Sequence, residues 1–241
     1  MTNSSLRPNL YIGSIGFSYE AWGNGVFYPS NLPRSDWLPF YAQHFNSVEI
    51  SHSFSKLIEK ETCISWHQQT GPEFKFSLRG NQYITHAKKL KGVGEPLKLF
   101  MDPLSKLQEK LACIVWEIPT LGKDQVKLLE GFFKHLKKYS QYEHFFDFHK
   151  DITLEQTSLH LLAENKFQQI SYPPQDSLLS ERSYFRILRE EGSALPEWEN
   201  DFLHKLKEEN PLQSHYIYFG EAQAAYAVKQ AQSFLNKLEN S

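Results

Sequence analysis

The feature that most constrains this chain is a regular alternation of strand-like and helix-like segments from residue 10 onward. Eight short β-rich segments can be counted, and each is followed by a segment of helical length, the weakest of these around residues 176–182. Such alternation is typical of a parallel sheet covered by helices. Eight units within 241 residues predict an α/β fold, a single (β/α)8 TIM barrel over residues 10–241, preceded by a flexible tail, residues 1–9.

An open, doubly wound sheet is the competing architecture. Its nucleotide-binding form carries a glycine fingerprint directly after the first strand. Here the first β-rich segment holds Gly13 and Gly16 in a different spacing. The two glycines instead predict a close approach of backbone segments, and the barrel remains the better prediction.

Composition excludes several classes of protein. Hydrophobic residues make up 40% of the chain and aromatic residues 15%, which is enough for a sizeable core. The formal net charge of -2 gives no global attraction to nucleic acid or to an anionic membrane. No apolar run approaches the ~20 residues that a membrane span needs, and Cys63 and Cys113 lack metal-ligand or disulfide-scaffold spacing. We therefore expect a cytoplasmic protein with no membrane and no nucleic-acid partner.

Glu49 is the residue of a predicted strand that most needs a partner. Residues 41–54 close a helix and pass through a short strand, in which side chains point alternately to opposite faces. Val48 and Ile50 therefore share one face, and Ser47 and Glu49 share the other. A buried carboxylate is costly unless it is paired. We expect Glu49 either to form a structural ion pair with an arginine or to act as a general base.

The same alternation places further charged residues near the carboxyl ends of the predicted strands, where barrel active sites lie. They are Arg79, Glu117, Asp147, His149 and Arg186. Asp147 is a second candidate general base, and Glu117 is a candidate substrate-binding residue. Arg79 and Arg186 suit either structural pairs or an anion clamp, because guanidinium matches carboxylate and phosphate. Together these charges predict a compensated polar network.

A metal site is a weaker hypothesis. His149 and Asp147 lie two residues apart and could bind a divalent metal together with Glu49 or Glu117. No spacing typical of a metal motif supports this. We therefore predict no metal ligands and no cofactor.

Two further segments contribute candidates. His86 lies in a predicted polar loop and is either a proton shuttle or a solvated histidine. Tyr19, Trp22 and Tyr28 lie in an aromatic, glycine-rich loop and are candidates for stacking on a substrate. The alternative for these rings is a lid that packs over the barrel mouth. The basic run at residues 86–91 is typical of a solvated face.

Several motifs in series carry a resemblance to a known family over residues 10–120. They are Ile12-Gly-Ser-Ile-Gly-Phe-Ser-Tyr19, Trp22, Val26-Phe-Tyr-Pro29, Tyr41-Ala, Phe45-Asn-Ser-Val-Glu-Ile50, Phe74-Lys-Phe-Ser77 and Ile84-Thr-His86. In this order they resemble the YecE-like family, a domain family of unknown function with a TIM-barrel fold. The resemblance implies the same fold as the strand count, and a site that retains Tyr19, Trp22, Glu49, His86 and Arg186.

The later part of the chain departs from the family pattern. The family's lysine after the third strand is Arg79 here, and its glutamine on the fourth strand is Glu117. On the fifth strand, Asp147-Phe-His-Lys replaces a Glu-Phe-Arg-His signature, and on the seventh Arg186 is kept without the following His-Gly. The resemblance therefore implies a divergent member, with either an altered substrate or a binding pocket that has lost catalysis.

Two functions of different classes remain open. The first is an enzyme that acts on a small anionic or sugar-like substrate. In it Glu49 or Asp147 would be the general base, Arg79 and Arg186 the anion clamps, and His86 the proton shuttle. The second is a non-catalytic barrel that holds a small-molecule ligand or a partner in the same pocket. The sequence does not decide between them, nor does it give the oligomeric state.

Overall fold

The computed structural model describes residues 9–148, 156–173, 181–188, 198–208, 213–220 and 224–240. Residues 1–8 of the predicted tail, His149 and most of the sixth crossover lie outside these ranges. Within them the chain forms eight strands, listed here in chain order. They are β1 (Leu10–Ser14), β2 (Ser47–Ile50), β3 (Lys75–Arg79), β4 (Leu111–Ile118), β5 (Glu143–Phe148), β6 (Gln168–Gln169), β7 (Arg182–Leu188) and β8 (Ser214–Gly220).

Seven α-helices alternate with these strands in the described ranges. They are α1 (Trp37–His44), α2 (Lys60–Gln69), α3 (Gly94–Leu104), α4 (Gln125–Leu136), α5 (Gln156–Glu164), α6 (Trp198–Glu208) and α7 (Ala224–Asn240). None of the described helices is both long and apolar enough to cross a membrane. One prediction is wrong: the segment expected to be a polar loop around His86 is a π-helix, Tyr83–Ala87.

The strands form two parallel sheets. One has the order β1-β8-β7, and the other has the order β2-β3-β4-β5-β6. Isolated bridges join Ile15 to Glu49 and Ser171 to Phe185. The predicted α/β class with parallel strands is therefore confirmed, and the strands are divided between two sheets.

Contacts group the described residues into two compact units. Unit 1 lies within Met1–Glu49, Gln69–Lys75 and Ser171–Ser241, and unit 2 lies within Ile50–Gln68 and Phe76–Ile170. Each unit takes residues from separate parts of the chain. The assignment of residues 10–241 to one domain stays a prediction.

Unit 1 packs its aromatic loop against α1. The rings of Tyr28 and Trp37 stack with centroids 4.3 Å apart, and Phe27 meets Trp22 edge-on at 5.8 Å. Gly13 in β1 is needed because a Cβ there would lie 1.9 Å from the Ser47 carbonyl oxygen. The close backbone approach predicted at this glycine is therefore present.

Unit 2 covers one face of its sheet with helices. Trp116 of β4 contacts Phe100 of α3 and Phe132 of α4 edge-on, at 5.7 and 5.0 Å, and Phe146 of β5 contacts Phe133 of α4 at 5.0 Å. Successive strand residues point to opposite faces. The neighbours of Trp116 and Phe146 in sequence therefore point away from the helices, and this face carries the charged residues.

Candidate functional site

The charged face of unit 2 carries polar side chains at the carboxyl ends of three neighbouring strands. Arg79 is the last residue of β3, and Glu117 and Asp147 are each the last but one of β4 and β5. In the parallel ladder Glu117 lies directly beside Asp147. Asp147 is buried with 8% of its surface exposed. These charged residues therefore lie on the face that strand alternation predicted and near the carboxyl ends of their strands.

Arg79, His86 and Glu117 form a cluster in which the carboxylate is shared. The Nη2 group of Arg79 donates a hydrogen bond to Oε2 of Glu117. The other carboxylate oxygen, Oε1, lies 3.4 Å from Nε2 of His86. The side chains of Arg79, Glu117 and His86 are 23%, 28% and 36% exposed. The cluster is therefore within reach of a solute.

His86 is held from both sides of its ring. Its Nδ1 lies 2.8 Å from the Thr85 hydroxyl. When Nε2 carries the proton that faces Glu117, Nδ1 accepts the hydroxyl proton of Thr85. Both residues lie on the π-helix, a rare conformation that occurs frequently at functional sites. A histidine oriented by a carboxylate has the arrangement required for proton transfer.

The ring of Phe54 packs against two members of the cluster. The guanidinium carbon of Arg79 lies 4.3 Å from the centroid of the Phe54 ring, within the range of a cation–π contact. The imidazole of His86 meets the same ring edge-on at 5.3 Å. Phe54 therefore fixes both side chains laterally without consuming any of their hydrogen-bonding groups.

Arg79 retains a donor that its pair with Glu117 does not use. Its Nε is buried and has no hydrogen-bond partner within the described part of the chain. Buried polar groups without a partner are rare and call for an explanation. The rest of the side chain remains partly open, with 23% of its surface exposed.

Unit 1 contains a second pair, which is closed to solvent. Arg186 of β7 binds Glu49 in a fork, with Nε donating to Oε2 and Nη2 donating to Oε1, both at 2.9 Å. The Tyr184 hydroxyl donates to the same Oε2 at 2.5 Å. The side chains of Arg186 and Glu49 are 6% and 0% exposed. Both carboxylate oxygens of Glu49 are therefore occupied.

The environment keeps Arg186 charged despite its burial. Burial alone would lower the pKa of Arg186, but the adjacent Glu49 carboxylate outweighs this effect and raises that pKa well above its ordinary value. Arg186 also donates to the Tyr172 hydroxyl at 3.4 Å. This pair is a fully desolvated ion pair, in which each partner prevents the other from being an uncompensated buried charge.

The aromatic loop residues have different surroundings. Trp22 and Tyr28 are completely buried. The Tyr28 hydroxyl donates to the Phe17 carbonyl, and burial raises the pKa of Tyr28. Tyr19 is half-buried, and its hydroxyl donates to the Ile15 carbonyl at 2.9 Å. Trp22 and Tyr28 therefore pack inside unit 1, and their contact with a substrate stays a prediction.

The structure groups the predicted residues by unit. It brings Arg79, Glu117 and His86 together in unit 2, and it brings Glu49 and Arg186 together in unit 1. In the ranges that the structure describes, no three His, Cys, Asp or Glu side chains are grouped as metal ligands. His149, which the metal hypothesis required, lies outside those ranges.

Sequence reasoning missed four residues that shape these clusters. They are Phe54, Thr85, Asn81 and Tyr184. Tyr184 could have been found, because it lies two residues before Arg186 in the same strand and so shares its face. Phe54 lies in the 3-10 turn after β2, Asn81 follows β3, and Thr85 lies in the π-helix. None of these short segments leaves a periodic signal in the sequence.

Comparisons with known proteins identify the family. The family described as "Protein of unknown function DUF72" matches residues 11–241. A relative from Escherichia coli, named UPF0759 protein YecE, is 26% identical over 129 residues, which cover 53% of this chain and 44% of that protein. The chain thus spans less than half the length of the curated relative it matches.

Solved structures share the fold. A DUF72 family protein from Thermotoga maritima superposes with a TM-score of 0.78 at 22% identity, covering 95% of this chain and 99% of that one. A DUF72 family protein from Enterococcus faecalis gives a TM-score of 0.71 at 14% identity, covering 96% of each chain. By its sequence over residues 11–241, this chain belongs to the DUF72 family.

Proposed function

We propose that the cluster of Arg79, Glu117 and His86 binds a small sugar-like molecule and exchanges a proton with it. The observation that carries the proposal is the difference between the two arginine–glutamate pairs. Arg186 uses two nitrogens on Glu49 in a closed fork, whereas Arg79 uses one nitrogen on Glu117 and its buried Nε finds no hydrogen-bond partner among the described residues. The open pair is the one beside a half-exposed histidine.

Charge favours a neutral polyhydroxy ligand over an anion. Glu117 and Asp147 lie side by side in the ladder, and Glu117 is already shared between Arg79 and His86. An anionic ligand would therefore lie close to two carboxyl groups of the protein. Hydroxyl groups both donate and accept, so a sugar can bond to Glu117 and to Arg79 together.

Each residue has a role that follows from its contacts. Arg79, whose side chain is 23% exposed, donates to a ligand oxygen, and Phe54 packs against its guanidinium. His86 is the proton shuttle, and Glu117 lies 3.4 Å from its Nε2 and orients the ring. Asp147 is the second carboxylate and the candidate general base. The reaction class is proton transfer to or from a hydroxyl or carbonyl group of the ligand.

Other predicted residues enter the proposal in different ways. Glu49 has no exposed surface, and we assign it with Arg186 to the scaffold rather than to the chemistry. Tyr19 stays a candidate for ligand contact, and a cytoplasmic location stays a prediction. We also propose that the eight parallel strands close into the predicted barrel. This rests on the two isolated bridges that join residues outside the named strands to β2 and β7 and on the likeness to the Thermotoga maritima fold.

The second candidate is a non-catalytic site of the same shape. It is favoured by one observation: both ring nitrogens of His86 already face groups of the protein, Thr85 and Glu117. Such a histidine positions a ligand without moving a proton. Loss of the Glu117 charge distinguishes the two candidates. In the enzyme it would remove proton transfer and leave most ligand contacts in place, whereas the non-catalytic site has no proton transfer to lose.

The test is a ligand-observed NMR screen followed by a turnover assay. The panel contains glucose, ribose and xylitol as neutral probes, and inorganic phosphate and citrate as anions. We expect a neutral probe to bind the unmodified protein, and Arg79→Gln to abolish that binding. Glu117→Gln then distinguishes the two candidates, since the enzyme loses turnover of the bound probe and keeps its affinity.

The matched control for Glu117→Gln is Glu109→Gln. Glu109 also lies 3.4 Å from a histidine, His67, and belongs to the same unit, but its side chain is 56% exposed. Its loss should change neither binding nor turnover. Binding of the anions alone would contradict the charge argument, and binding that survives Arg79→Gln would contradict the site.

A further inference from the structure

Ser53 and Asn81 are two buried polar residues that lie behind the proposed site. Ser53 is wholly buried and Asn81 is 6% exposed. Ser53 belongs to the 3-10 turn His52–Phe54 that follows β2, and Asn81 follows Gly80 after the end of β3. Neither can reach solvent freely, so the contacts of their side chains indicate what they do.

The Ser53 hydroxyl connects two backbone segments. Its Oγ lies 2.8 Å from the Ile50 carbonyl oxygen and 2.7 Å from the Arg79 carbonyl oxygen. The single hydroxyl proton is shared between these two acceptors. The turn that carries Phe54 is thereby tied to the residue whose guanidinium lies over the Phe54 ring.

The Asn81 amide extends this link to the π-helix. Its Nδ2 donates to the Ser53 carbonyl at 3.1 Å, and its Oδ1 accepts from the Tyr83 backbone N–H at 3.0 Å. Tyr83 is the first residue of the π-helix that carries His86. A π-helix of five residues has few internal hydrogen bonds of its own, so the bond from its first backbone N–H to Asn81 helps to fix its position.

We infer that Ser53 and Asn81 are positioning residues that set the arrangement of Phe54, Arg79 and His86. This inference rests on the proposed function for its significance, because the three side chains it positions are those of the proposed site. Asn81 joins the turn after β2 to the π-helix, and Ser53 joins the same turn to β3. The two residues act through the backbone and do not touch the ligand.

The direct test needs no ligand. We would measure the nuclear Overhauser effect between the rings of His86 and Phe54, which meet at 5.3 Å, by NMR with histidine labelling and a His86→Asn variant for assignment. We expect Ser53→Ala and Asn81→Ala to lose this signal. Ser53→Thr keeps the hydroxyl and should restore it.

The matched control is Ser14→Ala in unit 1. Ser14 is also wholly buried, and its hydroxyl donates to the Gly16 carbonyl at 2.8 Å. This variant loses a buried hydroxyl of the same kind but should keep the His86–Phe54 signal. If Ser53→Ala does not fold, Asn81→Asp replaces it, because the carboxylate still accepts from Tyr83 and no longer donates to Ser53.

The outcomes separate this inference from the proposed function. An unchanged ring signal in the folded Ser53 and Asn81 variants overturns the inference. Loss of the signal in a protein that binds none of the sugar probes supports the positioning role and contradicts the proposed function. If the inference and the proposed function are both correct, the affinity for a sugar probe falls by about tenfold in Asn81→Ala, because the displaced site loses about one hydrogen bond to the probe. The affinity is retained in Ser53→Thr.

Discussion

Replacing Arg186 with methionine should destabilise the protein more than almost any other single change to a charged residue. The substitution leaves the Glu49 carboxylate buried, with the Tyr184 hydroxyl as its remaining side-chain donor among the contacts described above. Methionine has a similar length, so the cavity contribution is small. The cost arises from an uncompensated charge in a site with no exposed surface.

The magnitude follows from the contacts. Arg186 contributes two charge-assisted hydrogen bonds, each 2.9 Å long, and bonds to charged groups contribute about 1.5–3 kcal/mol each. Breaking a buried pair by removing one partner costs about 3–5 kcal/mol in comparable cases. We expect a loss in the free energy of unfolding of about 3–5 kcal/mol. Adding Glu49→Gln to the variant should recover most of it, because the buried charge is then absent.

The assay is urea-induced unfolding followed by circular dichroism, at neutral pH. The control is Arg34→Met, which removes a pair with Glu20 whose side chains are 67% and 79% exposed and should move the urea midpoint little. The reasoning would be refuted if Arg186→Met and Arg34→Met had equal effects. It would also be refuted if Glu49→Gln gave no recovery in the double variant.

Three further predictions concern buried groups. Burial lowers the pKa of His144 to about 4, below its ordinary value of about 6.5. Between these two pH values the unfolded chain binds a proton and the folded protein does not, so the free energy of unfolding falls as the pH drops from about 6.5 to about 4. Urea unfolding at pH 5 against pH 7 should show a loss of roughly 2 kcal/mol that His144→Gln removes. Gly80→Ala would place a Cβ 2.1 Å from the Trp116 ring and should lower the free energy of unfolding, measured by heat or urea, by about 1–3 kcal/mol. The control is Gly71→Ala, whose Cβ would have no atom within 4 Å and which should cause no such loss. Both cysteines are buried, and burial raises the pKa of Cys63 to about 12. Neither thiol should therefore react with a thiol reagent at pH 8 until urea is added. Rapid reaction of the native protein would contradict the packing.

The part of the site that was predictable depended on strand parity. The alternation in residues 47–50 placed Ser47 and Glu49 on one face, and their partners are indeed Tyr218 and Arg186. All four residues of this strand are buried. Parity therefore predicted where Glu49 points, whereas its burial followed only from the fold.

The choice of partners was not predictable. Arg79 and Arg186 were equally suited to Glu49, and the sequence contains no information on which guanidinium reaches which carboxylate. The shared role of Glu117 between Arg79 and His86 depends on a π-helix of one turn, which produces no lasting periodicity.

The surroundings of the aromatic loop, residues 17–29, were also not predictable from its sequence. Rings in a glycine-rich loop are equally consistent with a ligand platform and with packing, since both need apolar surface. In the structure Trp37, which begins α1, stacks on Tyr28. That contact is tertiary, so no pattern within residues 17–29 could have shown it.

The most direct test of the account is an NMR titration of the histidine-labelled protein with glucose, ribose and xylitol, with inorganic phosphate as the charged comparison. Among the ten histidines of the chain, the account predicts that the His86 resonances shift and saturate with a neutral probe. The His144 resonances should stay fixed, because that ring is buried between Trp116 and Tyr139. If no neutral probe moves the His86 resonances, or if phosphate alone moves them, the central claim is wrong.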